Sequence, residues 1–238
     1  MLLSSSERRA LARVFALLAE DGDERTLRRE VGIALLDLLH ADHFASYVWD
    51  AEARRFDGGI QLNMDPANLA RYEAWYQFHD PITFALQARR HATAVSEVMA
   101  HGELARTEFF VDFLARDGLH WGINLHAFDG PRALGDLRIW RGRGRREFDD
   151  HDKALLDLVE PAFVAALRRL RPAAPATPNM LSAREREVAA LVAEGCTDKE
   201  IARALGIGVS SVRTYLRRLA EKTGAHRRAA LARAATGR

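Results

Sequence analysis

Ser211, Arg213, Thr214, Arg217 and Arg218 share one face of a helical pattern running from Val209 to Thr223. Val212, Leu216 and Leu219 share the opposite face, so the helix has one side for protein and one for something else. The fork of arginine matches the O6/N7 edge of guanine, and the polar face therefore suits the major groove of DNA.

The elements that must position these groups are legible around them. Apolar residues recur at helical spacing in four blocks: Val188, Ala189, Leu191 and Val192; Ile201, Ala202 and Leu205; Val212, Leu216 and Leu219; Ala229, Leu231 and Ala232. Ser182 with Glu185, and Thr197 with Glu200, have the spacing of capping boxes at helix starts. Gly195 and Gly206 stand where helices end. About three residues, Gly206 to Gly208, join the second and third helices, which is the short turn of a helix-turn-helix. In such a unit the later helix enters the groove and the earlier one crosses the backbone.

This segment resembles the LuxR-type, or NarL/FixJ-type, helix-turn-helix. The resemblance rests on Leu181-Ser182, Arg184 to Val188, Glu194-Gly195, Lys199 to Ala202, Leu205 to Ile207, Ser211 to Arg213, Leu216, Lys222 and Arg228. It implies that Arg213, Thr214 and Arg217 lie toward base edges, and that Lys199, Ser211 and Arg228 lie toward phosphates. Gly208 replaces the family's usual Ser cap, a change worth only ~0.3 kcal/mol. Tyr215 replaces the usual His and keeps a phosphate donor at that place.

The 238 residues carry a net charge of only +2, but it is unevenly spread. Residues 179–238 hold 12 Lys+Arg against 6 Asp+Glu, and residues 1–171 hold 23 against 27. A basic end on an acidic body is the footprint of a local nucleic-acid contact. The single cysteine, Cys196, excludes a disulfide framework within the chain. The N-terminal MLLSSSERRALARVF is charged where a signal peptide needs its apolar core. No apolar run approaches the roughly 18 residues of a membrane span, so a cytoplasmic protein without membrane contact is expected. The first lysine is Lys153, which removes the phospho-acceptor receiver fold. No phosphate loop or nucleophile elbow is present. The acidic group Asp149, Asp150, His151 and Asp152 is explained by a helix N-terminus. An enzyme, a metal site and a cofactor are therefore not expected.

Residues 172–178, PAAPATP, read as a semi-rigid linker. They divide a body, 1–171, from a small all-α head of four helices, 179–238. In the body, helical patterns at about 5–20 and 25–40 precede two strands in HFASYVWDAEARRFDGGI. Further helical stretches follow at about 66–77, 81–90 and 104–117. Two more strands lie in GLHWGINLHAFDG and ALGDLRIWRG, and a long helix runs over about 148–170. The predicted class is α+β, an α/β/α body with a central antiparallel sheet. GAF, PAS and autoinducer-binding sensor domains are similar.

Tyr47, Trp49, Tyr72, Trp75, Tyr76 and Trp121 are the candidate aromatic walls of a small-molecule pocket, with Asp80 as its polar group. Core packing is the alternative for the rings, and capping of the helix after Pro81 is the alternative for Asp80. Aromatic residues before Asp80-Pro81, and Gly122 on a later strand, resemble the autoinducer-binding domain of quorum-sensing LuxR proteins. Trp75 and Tyr76 stand closer to Asp80 than that family's spacing, and Val95 stands near its next Trp; both speak against an acyl-homoserine lactone. Leu156, Phe163 and Leu170 recur every seven residues, either as a dimer seam or as a face packed on the sheet. The expected protein is a homodimeric regulator that binds double-stranded operator DNA under control of a small-molecule effector. The alternative is a regulator whose body is only a dimerisation or protein-binding scaffold.

Overall fold

A computed structural model describes residues 2–51, 53–171 and 182–223, with backbone only at Ala183 and 221–223. The chain divides into two compact units, Met1–Pro172 and Ala173–Arg238. The first opens with two helices, α1 (Ser5–Ala19) and α2 (Glu24–Leu38). Ser4 and Glu7 form a capping box on α1, and Asp23 caps α2 by accepting from Thr26 N. A hairpin follows, β1 (His43–Asp50) and β2 (Arg55–Leu62). Short helices come next: α3 (Pro66–Ala74), α4 (Thr83–Gln87), α5 (His101–Leu104) and α6 (Glu108–Asp112). The two-residue strand β3 (Thr93–Ala94) interrupts them. A second hairpin, β4 (Trp121–Asp129) and β5 (Arg132–Arg141), leads into the long helix α7 (Asp150–Leu170).

All pairings are antiparallel, in the order β2-β1-β5-β4-β3. The sheet therefore has two faces fixed by the alternation of side chains. Ile123, Leu125 and Ala127 of β4 and Leu137 and Ile139 of β5 join one core with α1, α2 and α7. The short helices cover the other face. The heptad residues Leu156 and Phe163 are fully buried in the first core, with Val159 and Ala166 between them. The seven-residue spacing thus packs α7 on its own sheet, and Leu156 and Phe163 are not free for a partner. The long stretch expected at 104–117 is broken into α5, α6 and a 3-10 turn, Leu114–Asp117.

The acidic group at 149–152 is structural. Asp149 caps α7 by accepting from Asp152 N, while Asp152 accepts from Asp149 N. Asp152 also makes a two-point contact with Arg141, both distances 3.0 Å, and the two side chains are almost wholly buried.

The second unit contains α8 (Ala183–Ala193), α9 (Asp198–Leu205) and α10 (Val209–Thr223). Capping boxes at Ser182/Glu185 and Thr197/Glu200 start α8 and α9. Gly206 ends α9 at φ 64°, a left-handed value that a side chain would strain. Val188, Val192, Ile201, Val212 and Leu219 make the core that fixes the three helices. Residues 172–181, including the Pro/Ala linker and Leu181, and the fourth helical block lie outside the described residues.

All four tryptophans belong to the first unit, so tryptophan fluorescence follows its unfolding alone. Asp152→Ala strands the Arg141 guanidinium and is expected to cost this unit about 3–5 kcal/mol in urea unfolding. Asp150→Ala, at an exposed position, is expected to stay within ~0.5 kcal/mol. Equal midpoints for the two variants would show that the buried pair contributes nothing.

Candidate functional site

The second unit presents two faces on α10. Val212 and Leu219 are buried, and Leu216 and Tyr215 are half-buried against the same core. Arg213, Arg217 and Arg218 are exposed, as is Lys199 on α9, while Thr214 and Ser211 are half-buried. Arg213 reaches 3.7 Å from Asp198 at the start of α9 with three-quarters of its side chain in solvent. Such a contact is weak and leaves the guanidinium available. Thr214 Oγ1 donates to Ser210 O at 3.1 Å, within its own helix. Lys199 and Ser211 belong to the two helices that the Gly206–Gly208 turn joins. Arg228 lies outside the described residues.

The first unit has a small cavity of about 30 Å³ between the sheet and the short helices. Tyr47, Asn124, Arg138 and Trp140 form its sheet wall, and Tyr72, Asp80, Phe109 and Phe113 are on the helix side. The wall is unusual for a buried sheet face because it is charged. Arg138 and Asp136 are both buried; Arg138 Nε donates to Asp136 Oδ2 at 2.8 Å. Arg138 Nη1 donates to Tyr72 Oη. Its guanidinium carbon lies 4.9, 4.4 and 5.3 Å from the ring centres of Tyr47, Phe56 and Tyr72. Three aromatic faces thus stabilise the one cation. Burial works against the charge on Arg138, but the carboxylate of Asp136 outweighs it and keeps the guanidinium protonated.

Asp136 also places Tyr47. The β1–β5 ladder ends at Ala45↔Arg138, and β1 shifts register against β2 between Ser46 and Val48. Beyond that break Asp136 Oδ1 accepts from Tyr47 N at 2.6 Å, and Asp136 O accepts from Ser46 Oγ at 2.6 Å. Gly59 leaves room for the ring: a Cβ there would lie 2.6 Å from Tyr47 Cε1. The Tyr47 hydroxyl and Asn124 Oδ1 are buried without a hydrogen-bond partner. An unmet buried polar group costs about 1–3 kcal/mol, so these two mark where a ligand atom would be stabilised. Burial pushes the phenols of Tyr47 and Tyr72 up and keeps them protonated.

Of the expected pocket residues, Tyr47, Tyr72 and Asp80 meet at this cavity. Asp80 Oδ1 accepts from Ile82 N and Thr83 N, at 2.8 and 3.0 Å, and so starts the α4 turn as well. Burial raises the pKa of Asp80, against the effect of those hydrogen bonds. The other four are elsewhere. Trp75 ends α3 on the surface, stacked on His79 with ring centres 3.8 Å apart. Tyr76 is buried behind the cavity against Phe109 and Phe113. Trp121 is an odd-numbered residue of β4 and packs toward the α1/α2/α7 core. Trp49 lies farther along β1, against Phe56 and Phe84, beside an open groove of about 640 Å³. Sequence reasoning missed Arg138, Asp136, Asn124 and His126. Their only signal is a run of polar residues at alternate positions of two strands.

Residues 179–235 match the family described as bacterial regulatory proteins, luxR family. A curated relative, the monoamine regulon transcriptional regulator of Klebsiella aerogenes, is 36% identical over 76 residues, 32% of this chain and 34% of its own. The HTH-type transcriptional activator RamA of Corynebacterium glutamicum is 52% identical over 48 residues, 20% and 17% of the two chains. The match therefore spans about a third of one curated relative and less of the other. Among solved structures, Escherichia coli SdiA has TM-score 0.55 at 22% identity, covering 97% of this chain and 96% of that one. CepR2 of Burkholderia cenocepacia, an N-acylhomoserine lactone dependent LuxR family transcription factor, has TM-score 0.51 at 15% identity over 71% and 98%. At these identities the structures establish a shared fold. The C-terminal segment is thus matched as a luxR-family helix-turn-helix, and the chain shares its fold with SdiA and, over 71% of its length, with CepR2. No helix among the described residues is long and apolar enough to cross a membrane.

His126 stands beside Asp136 on the same strand pair, its Nδ1 3.9 Å from Asp136 Oδ2. Burial lowers its pKa from 6.5 to about 4, the nearby carboxylate opposing this only in part. The imidazole is therefore neutral in the folded unit, and the unfolded chain binds the extra proton first. Stability is fully present above pH 6.5 and declines as the pH falls toward 4, by about 3 kcal/mol from this group. His126→Gln is expected to flatten that part of the urea-midpoint profile. An unchanged slope between pH 6.5 and 4 would show that His126 does not carry it.

Proposed function

We propose that the chain is a homodimeric, cytoplasmic transcription regulator whose DNA binding is controlled by a small molecule held in residues 1–171. Residues 172–178 join this sensor to the head, 179–238. The observation that carries the reading is the cavity beneath the charged sheet wall, where buried polar atoms lack partners. A related fold supports it: SdiA has been captured in complex with octanoyl-rac-glycerol, with TM-score 0.58 at 19% identity over 99% of this chain and 96% of that one. Arg213, Thr214 and Arg217 read bases, while Lys199, Ser211, Tyr215 and Arg228 hold phosphates. Two such heads on a dimer suit two half-sites of an operator. An effector acts only through different affinities for the states that bind and do not bind DNA.

A second reading, a body that serves as a dimerisation or protein-binding scaffold, is favoured by the small size of the cavity. Ligand pockets are usually about 300–1,000 Å³, and about 30 Å³ holds roughly one water.

Native mass spectrometry of full-length protein purified from its own host separates the two readings. A dimer carrying an adduct that denaturation releases is the expected result. A dimer without adduct that shifts operator DNA fully would make the body a scaffold. For the head, Arg213→Ala is expected to weaken operator binding by about 1–3 kcal/mol and relax base preference. Lys199→Ala is expected to weaken all sequences alike and flatten the salt dependence. Operator affinity unchanged in Arg213→Ala would place α10 outside the groove.

A further inference from the structure

We propose that the effector is a compact organic anion, and that Arg138, Tyr47 and Asn124 form the subsite for its carboxylate or equivalent acceptor group. This rests on the reading of the cavity as an effector site and names the chemistry of what enters it.

Two donors at the sheet wall, Arg138 Nη2 and the Tyr47 hydroxyl, are buried without a hydrogen-bond partner. Arginine offers five N–H groups. Arg138 uses Nε on Asp136 and Nη1 on Tyr72. Its Nη2 lies 2.8 Å from Asp136 Oδ2 without hydrogen-bond alignment. The Tyr47 hydroxyl adds another donor with no acceptor. Two of the nearby carboxylates are engaged already, and the third, Glu73, stands near Tyr47 without a hydrogen bond to its hydroxyl. Asp136 Oδ1 serves Tyr47 N and Oδ2 serves Arg138. Asp80 turns both oxygens to Ile82 and Thr83. A ligand carboxylate supplies an aligned acceptor for Arg138 Nη2, which now has only its ion pair with Asp136, and an acceptor for Tyr47 Oη, in the planar geometry arginine matches. Asn124 Oδ1 is unpartnered on the same wall. Rotation of its amide by half a turn offers a donor to the same group.

The alternatives fit less well. An ammonium ligand would meet the charge of Arg138, and the Tyr47, Phe56 and Tyr72 faces that would attract it are already covered by the guanidinium. A purely apolar ligand would leave the donors unmet. The opposite wall sets the rest of the molecule: Met64, Leu69, Phe109 and Phe113 suit a short apolar or aromatic body.

The test is thermal unfolding of the full-length protein, followed by tryptophan fluorescence, with two matched sets at millimolar concentration. One set is phenylacetate, phenylacetamide and phenethylamine; the other is octanoate, octanamide and octylamine. An acid is expected to raise the transition temperature, its amide less, and its amine not at all. Tyr47→Phe removes a buried hydroxyl that has no partner in the ligand-free protein, so its own transition is expected to stay the same or rise. Its affinity for the acid is expected to fall about tenfold. Arg138→Lys keeps the charge but loses the fork, and a larger loss is expected. An amine or amide that stabilises as well as its acid would overturn the anion and leave the sensor reading standing. An acid affinity untouched by Tyr47→Phe would also overturn it. If no acid shifts the transition, the adduct carried from the host decides: one without an acidic group overturns the anion alone, one with an acidic group supports it, and no adduct removes both readings.

Discussion

The geometry of the first unit depends on one buried charge pair, Asp136 with Arg138. Two charges inside a sheet face are costly unless every remaining lone pair and proton is used. Here Asp136 spends one oxygen on Arg138 and the other on Tyr47 N, where the backbone ladder between β1 and β5 has stopped. Its own carbonyl accepts from Ser46 Oγ, which in turn accepts from Arg28 Nη1 on α2. One residue therefore replaces a missing stretch of ladder, ties β1 to β5, and connects the charged wall to a helix on the far side of the sheet. Tyr47 and Tyr72 stand where they do because Arg138 is held between them.

The two faces of this sheet differ in how readily they repack. One is covered by three helices of 15, 15 and 21 residues that share a single apolar core. The other is covered by helices of nine residues or fewer, broken by 3-10 turns. Short helices bury little apolar surface each and open at lower free energy than long ones. A cavity of about 30 Å³ admits a larger molecule only by displacing its lining. That displacement falls on α3 to α6, because α1, α2 and α7 do not contact the cavity. The helices that would have to move to admit a ligand are therefore separated across the sheet from the dominant core.

How much of this was legible in the sequence follows from which physical signals are local. The three described helices of the head are legible because capping boxes, glycine stops and apolar periodicity act within a few residues; Ser182/Glu185, Thr197/Glu200 and Gly206 behave in the structure as their spacing says. The long helices and four main strands were legible for the same reason. The cavity was not. Alternation assigns the polar members of a strand to solvent, yet Asn124, His126, Asp136 and Arg138 are the alternate, buried residues of β4 and β5. Nothing within a strand shows that a second layer of short helices covers its polar side. The same blindness to the third dimension explains Trp75, which looked like a pocket wall and is a surface stack on His79.

The heptad in α7 shows the limit from the other direction. Leu156, Phe163 and Leu170 satisfy a coiled-coil spacing over two repeats, and a helix lying along a sheet needs nearly the same stripe. Two heptads do not separate a 3.5-residue period from a 3.6-residue one, since the drift is only about 20° per repeat. What separates them is the apolar partner surface, and here β4 and β5 supply it: Ile123, Leu125, Leu137 and Ile139 are fully buried with Leu156 and Phe163 in one core. Any dimer contact from this helix must therefore use its outward face, where Leu158 is the large exposed apolar residue.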